Sequence, residues 1–429
     1  MNRFRVFCLA MAASAAVLAF VVTTSAAVAR ETAIYRFANV ADGFGPLGLV
    51  ADEEGDLYGT TYLGGPNTNC YQGCGTIFEL SPPSTPGGKW TKTIIHAFNA
   101  DGVDGYQPTP SIFLDDVEGN IFGTTYSGGA HNAGAVYELV PPIEQNEPWN
   151  EYILFSFQYG GTSPDIGGAL FPTAGGGFYA TTIGGGSAGG GTLSSLTPRG
   201  ASLDLKVLHS FDRQRNARPP GPSLVLDRSG NIYGIRFGMN GVCTPDFPSY
   251  CGTVYRFMPG TSKYDVLHRF EGASDGWFPN NELTLGANGH LFGTTRAGGG
   301  YTQGIIFELE PNKSGPPWIE NLILSFGADG DFEPLGGVVL GNGGSLFGTT
   351  SGNNINAGTV YRLSPPSMHG GSWTESILYR FSGGADGDMP NDQLIRGRDG
   401  FLYGTTYAGG KGDCTYYGAG CGVIYLITP

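Results

Sequence analysis

Six cysteines stand in three close pairs: Cys70 with Cys74, Cys243 with Cys251, and Cys414 with Cys421. Thiols so spaced either close into disulfides in an oxidising compartment or, as thiolates, hold zinc with neighbouring His or acidic ligands. No His or CxxC spacing accompanies them, so three local disulfides are expected, with no metal and no cofactor. The sequence also repeats Asp-Gly, at 42–43, 101–102, 275–276, 329–330 and 386–387, and Asp331 and Asp388 extend the last two to D-G-D. Alternating carboxylates can ligate calcium. Asp before Gly is foremost turn chemistry, however, and no complete D-x-D-x-D-G loop with a distal Glu follows, so these read as turns.

Three histidines, His96, His209 and His268, each precede a Phe by two residues. The equivalent position elsewhere holds Tyr35, Phe155, Leu324 and Tyr379, which marks a packing site rather than a catalytic one. His131, His290 and His369 fall singly in turns or loops. No H-E-x-x-H motif and no Ser, His and Asp grouping stands out, so no catalytic residue is assigned. What remains is chemistry of recognition. Tyr62, Tyr126, Arg236, Arg296 and Tyr407 lie where the chain enters variable loops, and Trp277 falls in another loop of the same kind. Aromatic and guanidinium groups so placed could stack on sugar rings or anchor a protein. They could equally be the amphipathic rim of a tyrosine-rich protein, or, for Trp277, a local lid.

A repeat positions these residues. Tyr58-Gly59-Thr60-Thr61 recurs as aromatic-Gly-Thr-Thr at 122–125, 292–295, 347–350 and 403–406, with degenerate copies at 179–182 and 233–236. The central positions are 64, 57, 54, 59, 55 and 56 residues apart, giving seven units. Each unit has four strand-like segments: an apolar segment a ending in Phe, segment b, segment c with the Gly-Thr-Thr, and segment d. Trp90, Trp149, Trp318 and Trp373 each stand eight residues before the Phe that ends a segment a, and read as structural plugs. Seven units of four strands fit an all-β, seven-bladed β-propeller of four-stranded antiparallel blades. The chain opens on a lone segment a, Ile34 to Phe37, and ends on a segment d, Val423 to Thr428. If each blade runs b, c, d and then the next unit's a, the N-terminal strand completes the last blade and closes the ring. The a–b and c–d loops then share one face, the expected binding surface.

Composition agrees. With 73 Gly and 28 Pro in 429 residues the chain nears a low-complexity composition, but 12% aromatic and only 14% charged residues leave ample material for a core. A net charge of −14 opposes binding to nucleic acid or an anionic membrane. Residues 1–29 have the charged start, apolar stretch and Ala27-Val28-Ala29 end of a cleaved signal peptide, leaving 30–429 as one propeller domain. No later stretch is apolar for long enough to span a bilayer.

The unit, with its Asp-Gly, Pro, G-x-L-Y-G-T-T, G-G and G-T-V-F-E-L, resembles the GloVer tandem repeat of bacterial exported proteins across the mature chain. The resemblance implies fold and export, with no catalytic residues to carry over. Members of that family bear assorted C-terminal sorting tails, whereas this sequence stops at Pro429, so a soluble exported monomer, secreted or periplasmic, is expected. The expected role is a non-catalytic binding module for a glycan or a cell-surface protein. A polysaccharide-active hydrolase or lyase working at the propeller mouth, and a purely structural envelope or matrix protein, are the alternatives.

Overall fold

The glycines, aromatics and threonines of the repeat fold into seven radial blades. The computed structural model describes residues 29–85, 87–144, 147–158, 165–212, 220–237, 251–280, 282–327, 333–352, 357–368, 371–414 and 420–429. Residues 1–28 of the expected signal peptide, Cys243, His369 and the 329–331 Asp-Gly-Asp lie outside these described residues. Blade 1 comprises Phe44–Ala51, Leu57–Leu63, Thr76–Ser81 and Thr91–Ala97, hydrogen-bonded antiparallel in that order. Blade 2 (Gly105–Leu114 to Asn150–Ser156), blade 3 (Asp165–Pro172 to Ser202–Asp212) and blade 4 (Pro220–Leu226 to Lys263–Arg269) repeat the order. In blades 5 and 7 the inner strand is split, as Trp277–Pro279 with Thr284–Leu285 and Asp388–Pro390 with Ile395–Arg396. In blade 6 Val339–Leu340 takes that place among the described residues.

Each blade therefore runs b, c, d and the following unit's a, from inside outward. The last blade takes its outer strand from the chain start: Arg30–Arg36 pairs with Val423–Thr428, Arg30 opposite Thr428 and Arg36 opposite Val423. That pairing satisfies the otherwise open edge of blade 7 and closes the ring.

Sterics explain the repeat. The central glycines of segment c are opposite an aromatic of segment d: Gly59 faces Phe78, Gly123 Tyr137, Gly234 Tyr255, Gly293 Phe307, Gly348 Tyr361 and Gly404 Tyr425. A Cβ on any of these glycines would run into that ring. Blade 3 confirms the rule by exception, since Ala180 replaces the glycine and its partner shrinks to Ser194. Each aromatic also meets, edge-on or tilted, the Phe that ends the preceding segment a, as in Phe98–Tyr137 at 5.3 Å and Phe381–Tyr425 at 4.9 Å. Such pairs contribute about 0.5–1.5 kcal/mol each beyond their burial. The tryptophan plugs work across the same seams, Trp90 against Tyr403 and Trp318 against Tyr233.

The two threonines divide the polar work. The first reaches across the seam: Thr124, Thr181, Thr294 and Thr349 donate to the carbonyls of Gly168, Gly221, Gly336 and Asp392 in the next inner strand. The second accepts from the start of segment d, as from the N–H of Ala135 at Thr125 and of Ile305 at Thr295. Buried hydrogen bonds of this kind contribute about 1 kcal/mol each. The glycine opening segment d faces the proline of the next inner strand: a Cβ on Gly75, Gly304 or Gly422 would strike Pro108, Pro334 or Pro46.

The loop arrangement follows. Gly65, Gly129, Gly299 and Gly410, all in c–d loops, donate to Val40, Asp104, Ala273 and Gly384 of a–b loops, so both loop sets occupy one face. Cys70–Cys74 and Cys414–Cys421 are disulfides with S–S distances of 2.03 and 2.06 Å, and Cys251 is disulfide-bonded as well. Disulfide formation is the chemistry of an extracytoplasmic compartment. Among the described residues no helix is long and apolar enough to cross a membrane.

Candidate functional site at the channel mouth and waist

Proline stands near the start of the innermost segment in most blades, and the residue before it lies toward the loop-bearing face at the channel mouth. Gly45, Gln107, Phe278, Glu333 and Met389 precede Pro46, Pro108, Pro279, Pro334 and Pro390, with φ of 62, 58, 61, 49 and 58°. Each donates its N–H back to the previous blade, to the carbonyls of Cys421, Cys74, Cys251, Gln303 and Ala357, at 2.8–3.2 Å. That bond, with the proline seated at the seam, holds a left-handed backbone. For the four residues that carry a side chain this conformation costs about 1 kcal/mol or more each. Sequence reasoning missed these four. Their one signal is their place immediately before the inner-strand proline.

The expected recognition residues are partly gathered here. Tyr62 and Tyr126 meet edge-to-face at 6.1 Å. The Tyr126 hydroxyl is pushed up to about 12 by burial, then by Tyr62 and the Asp392 carboxylate. The Tyr407 ring lies 5.6 Å from that of Phe44 and covers the Cα of Gly45. Arg296 pairs with Glu333 at 3.1 Å, and the Phe237 ring stacks on Phe278 at 6.0 Å. Trp277 is not in a loop: it opens the inner strand of blade 5 opposite Ala297 and is half-buried against the core between blades 4 and 5. Arg236 stands apart. It occupies the second-threonine position of blade 4 and points into the seam with blade 3. There it pairs with Asp212 at 3.3 Å and covers the Phe211 ring at 5.3 Å.

At its waist the channel widens into a cavity of about 240 Å³, lined by the inner strands of blades 1 to 5 and 7, with Gly48, Ser111, Ser223, Glu282, Asp392 and Gln393 among its walls. Its two acids are tied to glycine backbones across seams: Gly48 N–H donates to Asp392 and Gly337 N–H to Glu282. Thr405 adds a hydroxyl to Asp392 at 3.2 Å. Both groups stand partly buried at the cavity wall. Burial, then the charge of Asp392, pushes Glu282 up to about 8, and burial pushes Asp392 up to about 6. Folded pKa values above the unfolded ones stabilise at low pH, so this contribution fades as pH rises from about 4 through 8. The melting temperature is therefore expected to be higher at pH 5 than at pH 8. Glu282→Gln, which keeps an acceptor for Gly337, is expected to flatten that slope. A thermal-melt series across pH in both proteins tests this, and an unchanged slope contradicts it.

Two of the three segment-a histidines do more than pack. His96 and His268 lean edge-on against Phe98 and Phe270, yet their Nε2 atoms meet Asp104 at 3.3 Å and Asp275 at 3.2 Å. His209 instead stacks flat on Tyr264 at 4.2 Å.

The repeat and its seams decide the kinship. The profile of the Gloeobacter/Verrucomicrobia repeat matches residues 11–243 and 168–419. This chain belongs to that family. The GloVer protein's fold recurs in distant solved structures. A polysaccharide lyase family 25 ulvan lyase matches with a TM-score of 0.54 at 13% identity, over 87% of this chain and 93% of the lyase. The extracellular domain of a hybrid two-component system from B. thetaiotaomicron matches at 0.51 and 10% identity. That match covers 92% of this chain and 39% of the other. At such identities the likeness is one of fold. No curated protein matches the GloVer sequence significantly.

Proposed function

We propose that this GloVer protein is an exported, non-catalytic binding propeller that takes a neutral, hydroxyl-rich glycan at the channel mouth. One observation carries the reading: Gln107, Phe278, Glu333 and Met389 hold left-handed backbones around the mouth, although glycine serves at the same position in blade 1. A side chain kept at a conformational cost, four times at one opening, marks a surface retained for what it touches. The companions fit a saccharide. Tyr62, Tyr126 and Phe278 offer ring faces and edges, Gln107 an amide, and the waist below offers serine hydroxyls. Arg296 and Arg236 are each paired with a carboxylate and the lining of the waist carries carboxyl groups rather than cations, which disfavours an anionic polysaccharide.

A glycan array followed by calorimetry on the exported chain tests this. Gln107→Gly with Met389→Gly relieves backbone strain, so the melting temperature is expected to hold or rise while affinity falls at least tenfold. Glycan binding that ignores these substitutions sinks the assignment. A polysaccharide-active enzyme is a second reading, favoured by the two carboxylates at the waist. Release of new reducing ends or unsaturated products, lost in Asp392→Asn, would replace the first reading with it.

A further inference from the structure

Four blade seams carry a small polar cluster at the outer rim, built from one side chain of a segment a, an Asp of the following loop and one side chain of the next segment a. At the seam of blades 7 and 1 these are Tyr35, Asp42 and Lys92. The Lys92 ammonium lies 2.9 Å from Asp42 and supplies the cation. At the seam of blades 6 and 7 they are Tyr379, Asp386 and Glu31, with the tyrosine hydroxyl donating to Asp386 at 2.9 Å. Two other seams hold a third set, His96 with Asp104 and Glu151, and His268 with Asp275 and Glu320. Here a second carboxylate stands where Lys92 stands in the first seam. In each trio an imidazole nitrogen and two carboxylate oxygens lie within 4.8 Å of one another.

We propose that these two seams are equivalent divalent-cation sites, each holding Zn²⁺ or Mn²⁺ through one imidazole and two carboxylates, with water completing the shell. The geometry is close to ligating. Ligands about 2.1 Å from a tetrahedral ion stand roughly 3.4 Å apart. Here His96 Nε2 is 3.3 Å from Asp104 and 3.5 Å from Glu151, and His268 Nε2 is 3.2 Å from Asp275 and 3.9 Å from Glu320. The acceptors are also in surplus. The Asp104 side chain is 9% exposed, and its Oδ1 is buried without a hydrogen-bond partner among the described residues; Glu151 Oε1 has the His96 imidazole nitrogen at 3.5 Å, beyond good hydrogen-bond geometry. Asp104 Oδ2 is already turned to the Asn99 N–H at 2.8 Å, which fixes the carboxylate against the imidazole as an outer partner fixes a metal ligand. At the second seam a cleft of about 740 Å³, bordered by His268, Asp275, Glu320 and Trp318, gives an ion entry and room for its waters.

The test is stoichiometric. The chain is stripped with EDTA, equilibrated with Zn²⁺ or Mn²⁺ at pH 7.5, freed of excess metal by gel filtration and assayed by mass spectrometry. Two ions per chain are expected, falling to one in either His96→Phe or His268→Phe and to none in the double variant. Phenylalanine fills the same position in blade 2 as Phe155, so these variants keep the packing of the seam. Thermal melts confirm folding and are expected to show metal-dependent stabilisation only where a histidine remains. No uptake by the unmodified chain, or full uptake by the double variant, overturns the proposal.

Discussion

Deleting residues 30–37 is expected to abolish the single cooperative melt of the propeller and to drive the chain into edge-to-edge association. Arg30–Arg36 supplies the outer strand of blade 7, and without it Val423–Thr428 presents an unpaired row of backbone groups. The loss exceeds one strand ladder. Phe37 is fully buried, touches Phe78 of blade 1 at 5.6 Å, and by itself is worth about 3–5 kcal/mol on truncation to alanine. Size-exclusion chromatography and calorimetry read the outcome. A circular permutant, opened in the loop at 38–43 and joining Pro429 to Arg30 through a short hairpin, is expected to melt as the parent does, because Arg30 already stands opposite Thr428. A deleted chain that unfolds with the parent's midpoint would refute ring closure as a source of stability.

The second large effect concerns a methyl group. Gly123→Ala places a Cβ against the hydroxyl end of Tyr137, a fully buried ring with no space to retreat, and is expected to cost about 2–3 kcal/mol. The backbone of Gly123 is ordinary extended strand, so the penalty is steric rather than conformational. In a Tyr137→Ser background the same substitution is expected to cost almost nothing, reproducing the Ala180 and Ser194 pair of blade 3. A double-mutant cycle by denaturant unfolding thus predicts a coupling close to the whole single-mutant penalty. Equal costs in both backgrounds would mean that the glycine is required for another reason.

Ring closure was legible because the leftover segment a recurs with the period of the chain, whereas the repeat marked the central glycine of segment c without showing that it faces an aromatic of segment d. Aromatic-Gly-Thr-Thr recurs at a nearly constant period, the cysteines announce themselves as three close pairs, and the leftover segment a at one end demands a partner at the other. The mouth was less legible. Nothing in the residue types Gln107, Phe278, Glu333 and Met389 encodes a left-handed backbone; the seam imposes it through the preceding blade's carbonyl and the following proline. The seam clusters were hidden for a different reason. His96 shares its position with Phe155 and Leu324, and its carboxyl partner Glu151 lies a whole repeat away. Position alone therefore gave the imidazole a packing role, which is only half of what it does. Arg236 illustrates the opposite error of proximity: one residue before Phe237 in sequence, it lies at the seam while Phe237 stacks at the mouth.

The pre-proline positions bear on how such a protein can change over generations. At Gly45 the main chain takes the same course with no side chain as it does at Gln107 or Met389 with one. Codon changes at these positions can therefore add, remove or exchange a rim side chain while the seam beneath, held by backbone bonds and proline, keeps its shape. Selection could revise what the opening admits one blade at a time, leaving the scaffold that presents it untouched.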